Sequence, residues 1–134
     1  MSRSPSLPEF FIDRSLGRHA VAARLRSAGW HVTTHHEVYG SRDERIPDTQ
    51  WLEHCGDGGL VVLTKDRRLR YRPAEAEAIR RFGVRAFVLT RGNLTADQQA
   101  LRFLDNEARI FEACTGEGLF RFVVHATRLA AVLV

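Results

Sequence analysis

The sequence predicts an α/β fold, a three-layer α/β/α sandwich with a mainly parallel central sheet. Three observations lead there. Short apolar runs alternate with segments of helical periodicity, in the order strand, helix, strand, helix, strand, helix, strand, helix, strand. That alternation implies right-handed crossovers between parallel strands. The run Leu60-Val61-Val62-Leu63 is apolar throughout, as a strand covered on both faces must be. Acids stand where strands should stop, and ligands of parallel sheets bind at the carboxyl ends of strands.

The elements follow in order. Glu9 to Asp13 reads as the first strand. Ser15 is placed to cap the next helix, whose Leu16, Ala20, Val21, Ala23, Leu25 and Ala28 recur at helical spacing until Gly29 stops it. Trp30 to Thr34 alternates as a second strand. Residues 35–47 are polar, hold Gly40 and Pro47, and read as a loop. Asp48 to Cys55 is a short helix with Trp51, Leu52 and Cys55 on one face, so Trp51 is expected in the core. Gly56, Gly58 and Gly59 end it before the Leu60–Leu63 strand. Pro73 suits the first turn of a helix carrying Ala76, Ile79 and Phe82 inward, with Gly83 after it. Arg85 to Thr90 is the fourth strand. Thr95 and Gln98 form a capping-box pattern, followed by Leu101, Leu104, Ala108 and Phe111 on one helix. Leu119 to Val124 is a fifth strand, at the sheet edge.

The 134 residues suit one domain with one core. Residues 1–8 are polar, lack the apolar core of a signal peptide and read as a flexible lead; residues 9–134 form the domain. No apolar run reaches the ~20 residues of a membrane span. Cys55 and Cys114 are far apart and in no CxxC pattern, which fits a reduced, cytoplasmic chain. The formal charge is +4, and every basic residue but Lys65 is arginine. Arginine forks match phosphate oxygens, so nucleic acid is a plausible partner, although a solvated surface explains the charge as well.

Asp13, Asp48 and Asp66 are distant in sequence but converge in this architecture. Taken alone, Asp48 has a structural explanation as a helix N-cap and Asp66 as a cap of the turn into Arg67-Arg68, whereas Asp13 is harder to dismiss because it interrupts an apolar strand directly before a helix. Together they would repel one another unless a cation sat between them. Oxygen-only ligands suit Mg²⁺ or Mn²⁺, which can activate water and stabilise the leaving oxygen of a phosphodiester. Asp43 and Glu44 are candidates for a fourth oxygen. Arg14, Lys65, Arg67 and Arg68 flank the acids and would either hold RNA phosphates or neutralise the carboxylates. Tyr71 is open to stacking on a base.

Four segments carry a family resemblance: Phe11-Ile12-Asp13-Arg14-Ser15-Leu16-Gly17, Asp48-Thr49-Gln50-Trp51-Leu52, Val62-Leu63-Thr64-Lys65-Asp66 and Phe87-Val88-Leu89-Thr90-Arg91. Their order and spacing resemble PIN-like domains, and most of all the short branch of VapC-type toxins, in particular the VapC45-like group. The resemblance implies a metal-dependent ribonuclease with acids around Mg²⁺ or Mn²⁺. Asp13 would match the first-strand acid, Asp48 the helix-opening acid and Asp66 the acid of the Thr-x-Asp segment. It also implies a cognate antitoxin and dimerisation. Arg68 and Leu69 stand where many relatives carry a second acid and an aromatic, which leaves one ion or two equally open.

Other readings fit less well. A receiver domain wants paired acids at the first strand, but Arg14 follows Asp13. An aspartate-nucleophile phosphatase wants an acid where Ser15 stands. No glycine-rich turn follows the first strand, which disfavours dinucleotide and P-loop folds. His31, His35 and His36 lack the cysteine partners and spacing of a structural zinc site. A non-catalytic basic α/β module that binds RNA or a protein remains the alternative, with the acids serving as caps.

Overall fold

In the computed structural model, residues 7–69, 71–90, 93–116 and 118–132 are described. Five parallel strands, β1 (Glu9–Ile12), β2 (His31–Thr34), β3 (Val61–Thr64), β4 (Arg85–Leu89) and β5 (Phe120–Val124), form one sheet with β6 (Leu129–Ala131). The spatial order is β2-β1-β3-β4-β5-β6, and β6 runs antiparallel to β5. The expected mainly parallel α/β/α sandwich is therefore present. Residues 1–6 of the expected lead lie outside the described residues.

The central strands are apolar on both faces because helices cover both. Phe10, Ile12, Val61, Leu63, Phe87 and Leu89 face one core, with Val21, Ala22 and Leu25 of α1 (Ala20–Ser27), Ala100 and Phe103 of α5 (Ala96–Asp105), and Ile110 of α6 (Glu107–Ala113). The alternate residues Phe11, Val62 and Ala86 face the other, with Trp51, Leu52 and Cys55 of α3 (Asp48–Gly58), and Ala78 and Ile79 of α4 (Pro73–Phe82). This is the period-two consequence of a strand pleat. Trp51 is 1% exposed and stacks on Phe11, so it belongs to the core as its helical position implied. Pro73 opens α4, Gly83 closes it in the left-handed region, and Thr95 and Gln98 complete their capping box.

Four expectations need correction. Residues 35–47 are not a loop: α2 (His35–Tyr39) and a 3-10 segment (Gly40–Arg45) occupy most of them. Thr34 ends β2 and also caps α2, with Glu37 bonding back to it, so one residue closes one element and opens the next. Ser15 does not cap the first long helix. Asp13 caps a short 3-10 turn (Arg14–Leu16), Gly17 breaks it, and α1 begins at Ala20. The helix after Thr95 is two helices. Asn106, fully buried, turns its side-chain amide to the carbonyls of Arg102 and His125 at 2.8 and 2.9 Å and separates α5 from α6. Finally, β5 is not an edge strand, because β6 pairs along it. Among the described residues no helix is long and apolar enough to cross a membrane.

Candidate active site

Adjacent parallel strands bring the first acid to its neighbours. Ile12 of β1 pairs with Leu63 of β3, and the Asp13 N–H donates to the Leu63 carbonyl at 3.2 Å. The ends of β1 and β3 therefore lie side by side. Asp13 is 4% exposed. Its Oδ1 accepts the Ser15 N–H at 2.9 Å and the Ser15 hydroxyl, and its Oδ2 accepts the Thr64 hydroxyl at 2.6 Å. The same hydroxyl oxygens accept from the next turn: Ser15 Oγ from the Lys65 N–H and Thr64 Oγ1 from the Asp66 N–H, both at 3.0 Å. The two strand ends are thus held together through a buried carboxylate. Burial pushes the Asp13 carboxyl up to about 6 against the lowering effect of the Ser15 and Thr64 hydrogen bonds, and the nearby Asp66 charge adds to the rise.

Asp48 does not cap α3. Pro47 occupies the cap position and Asp48 begins the first turn, with no side-chain cap bond. Its carboxylate turns inward instead. Oδ1 accepts the Trp51 Nε1–H at 2.8 Å and one Arg14 nitrogen at 3.5 Å. Oδ2 accepts from Arg72 at 3.2 Å. Asp66 does cap its turn, taking the Arg68 N–H at 3.0 Å on Oδ1, while Oδ2 accepts the same Arg72 nitrogen at 3.2 Å. Asp48 and Asp66 therefore converge on one guanidinium, and Asp13 joins Asp66 through the Thr64 hydroxyl.

Glu44 is not brought to this group. It is exposed and faces Arg18 at 3.7 Å. Asp43, by contrast, is buried and holds Arg18 through two bonds of 3.0 and 3.1 Å, with His36 Nδ1 at 3.1 Å. Burial works against its charge, but the His36 and Arg18 hydrogen bonds outweigh it and hold the carboxyl below the usual range. These residues, with Arg14 and His35, line a separate cavity of about 270 Å³. Both His35 ring nitrogens are buried without a hydrogen-bond partner among the described residues, and burial lowers the pKa of this imidazole.

Ser15, Lys65, Asp66, Arg67 and Arg68 line an open cleft of about 360 Å³. Arg68 is largely exposed there, and Tyr71 is 68% exposed nearby in sequence. Arg14 is turned toward Asp48 and the Ile46 carbonyl.

As arranged, no three His, Cys, Asp or Glu side chains among the described residues stand close enough to hold a metal ion. The donor chemistry nevertheless suits a hard divalent cation: three carboxylates, one buried without a counter-ion among the described residues, and two whose Oδ2 atoms already point at a common positive charge. The spacing of those two is set by Arg72. Sequence reading passed over Ser15 and Thr64 as site residues, although each stands two positions from an acid, where hydroxyls commonly bond. Arg72 carried no signal at all, because its contact with Asp48 spans 24 residues.

Comparison with known proteins gives two matches. The family described as PIN like domain matches residues 8–91. The protein named "Putative ribonuclease VapC45" from Mycobacterium tuberculosis (strain ATCC 25618 / H37Rv) is 32% identical over 128 residues, covering 95% of this chain and 93% of that one. No solved structure gives a significant match.

Proposed function

The chain belongs to the PIN-like domain family, in its VapC-type branch, and on that premise we propose that it is a divalent-metal-dependent endoribonuclease, the toxin of a toxin–antitoxin pair. The observation that carries the reading is the carboxyl edge itself: a buried Asp13 linked to Asp66 through the Thr64 hydroxyl, and Asp66 linked to Asp48 through one guanidinium.

In this reading Asp13, Asp48 and Asp66 hold Mg²⁺ or Mn²⁺. When bound, the ion supplies Lewis-acid activation of water and charge neutralisation at the leaving oxygen. Ser15 and Thr64 fix both Asp13 oxygens, so the carboxylate cannot rotate away. The Trp51 indole N–H orients Asp48 from the core. Lys65, Arg67 and Arg68, around the cleft, hold phosphates on either side of the bond that is cut. Arg14 adds positive charge on the Asp48 side. Glu44 stands outside the ligand set, paired with Arg18. The reaction is hydrolysis of an RNA phosphodiester in the cytoplasm. A cognate antitoxin and a second copy of the chain are its proposed protein partners.

The test is cleavage of RNA with and without Mg²⁺ or Mn²⁺, in the wild type and in Asp13→Asn. The variant should keep its circular dichroism spectrum and lose cleavage. Mn²⁺ should raise the melting temperature of the wild type and leave the variant unmoved, because binding to the native state alone stabilises it. One observation favours a second reading. Arg72 pairs with both Asp48 and Asp66, so these acids have a structural explanation in a basic RNA-binding module. Such a module would bind RNA equally in both forms and cut it in neither.

A further inference from the structure

One terminal nitrogen of Arg72 lies 3.2 Å from Oδ2 of Asp48 and 3.2 Å from Oδ2 of Asp66. The two oxygens are therefore separated by no more than twice that distance. The bridge is built from the backbone. Asp66 caps the turn by accepting the Arg68 N–H, the Arg68 carbonyl accepts from Tyr71 and Arg72 at 2.9 and 3.2 Å, and Pro73 then starts α4. Arg72 thus leaves a defined turn at a fixed helix start. With Arg14 beside Asp48 and the Arg68 guanidinium 3.9 Å from Asp66, three arginines face these two carboxylates, but of the three it is Arg72 that bridges both.

A divalent ion coordinating either Oδ2 would sit about 2.0–2.6 Å from it. An ion shared by the two carboxylates would need the space between their Oδ2 atoms, which the guanidinium already fills, and like charges repel strongly at such range. We propose that Arg72 is the internal counter-ion of this site and determines its metal affinity. Guanidinium and metal compete for the same two oxygens, so loading requires Arg72 to leave. The inference rests on the metal-dependent reading above and adds a residue to it. A carboxylate pair without Arg72 binds the ion without first breaking two charge-assisted hydrogen bonds. If Arg72 were instead a clamp holding the ligands in place, its removal would weaken binding.

The experiment is a Mn²⁺ titration of the full chain, read from the electron paramagnetic resonance of free aqueous Mn²⁺, for wild type, Arg72→Gln and Arg72→Lys. Arg72→Gln should bind roughly tenfold more tightly, the size of a partly exposed charge-assisted pair, and Arg72→Lys, which keeps the charge, should stay near wild type. In the wild type, the Arg72 Nε–H nuclear magnetic resonance signal should shift as Mg²⁺ is added; this needs no variant to fold. Equal or weaker Mn²⁺ binding by Arg72→Gln would overturn the proposal, as would an Arg72 signal that stays still while the protein saturates with Mg²⁺. Uptake of Mn²⁺ by neither wild type nor Arg72→Gln would instead sink the metal-dependent reading, and this inference with it.

Discussion

Replacing Asp13 by Asn should stabilise the metal-free protein at neutral pH. The carboxyl has its folded pKa raised to about 6 from an ordinary 3.8, chiefly by burial. Below 3.8 the group is protonated whether the chain is folded or not, and burial carries no charge penalty. As pH rises from there, the unfolded chain releases the proton while the native state retains it. Native stability therefore falls through this window and levels off above about 6. That rise corresponds to at most ~3 kcal/mol. Asn carries no charge and removes the penalty. It also fits the hydrogen bonds. Its oxygen accepts from the Ser15 N–H and hydroxyl, and its amide donates to Thr64 Oγ1. The Thr64 hydroxyl then turns to Ser15 Oγ, 3.2 Å away. Calorimetry in EDTA from pH 3.5 to 8 should show near-equal melting temperatures in acid. By pH 8 the variant should melt up to ~10 °C higher, at about 3 °C per kcal/mol for a chain of this size. A gap independent of pH, or a variant less stable at pH 8, would refute the argument that an unpaired buried charge dominates at this position.

Further outcomes follow from packing and charge. Gly56→Ala should destabilise by about 2–3 kcal/mol in urea unfolding, because a Cβ there would stand 2.3 Å from the Phe82 carbonyl oxygen and force α3 from α4. Asn106→Ala should lower the unfolding free energy by about 1–3 kcal/mol, since the Arg102 and His125 carbonyls lose their donor in the interior. Thr64→Val should reduce RNA cleavage by more than tenfold while costing only about 1–2 kcal/mol of stability, as the hydroxyl bonds Asp13 and receives the Asp66 N–H. Lys65→Gln should weaken RNA binding at every sequence tested and reduce the slope of log affinity against log salt by about 0.7, the value for one phosphate contact on a single strand.

The reason for these contrasts lies in how far each interaction reaches along the chain. The alternation of apolar runs is a local property, and each run is legible where it stands. Leu60–Leu63 reads as a doubly covered strand, Pro73 and Gly83 bracket α4, and Thr95 with Gln98 caps α5. These features determined the layer order and the parallel sheet from sequence alone. They also put Asp13 and Asp66 at the ends of β1 and β3, because strand ends in such a sheet share one edge. Where one residue serves two elements, local reading failed. Thr34 closes β2 and caps α2, and Asn106 divides what reads as one helix with bonds to a segment 19 residues away; there Ala100, Phe103 and Ile110 are buried while Leu101 of the expected face is exposed.

Only the tertiary structure decided what the acids touch. Asp48 looked like a helix cap and is instead held by Trp51, Arg14 and Arg72. Asp43 and Glu44 are neighbours in sequence, yet one is buried against Arg18 and His36 and the other is exposed. A charge chooses its partners by distance through space and by the water it loses, and neither quantity is written in the spacing of residues along the chain.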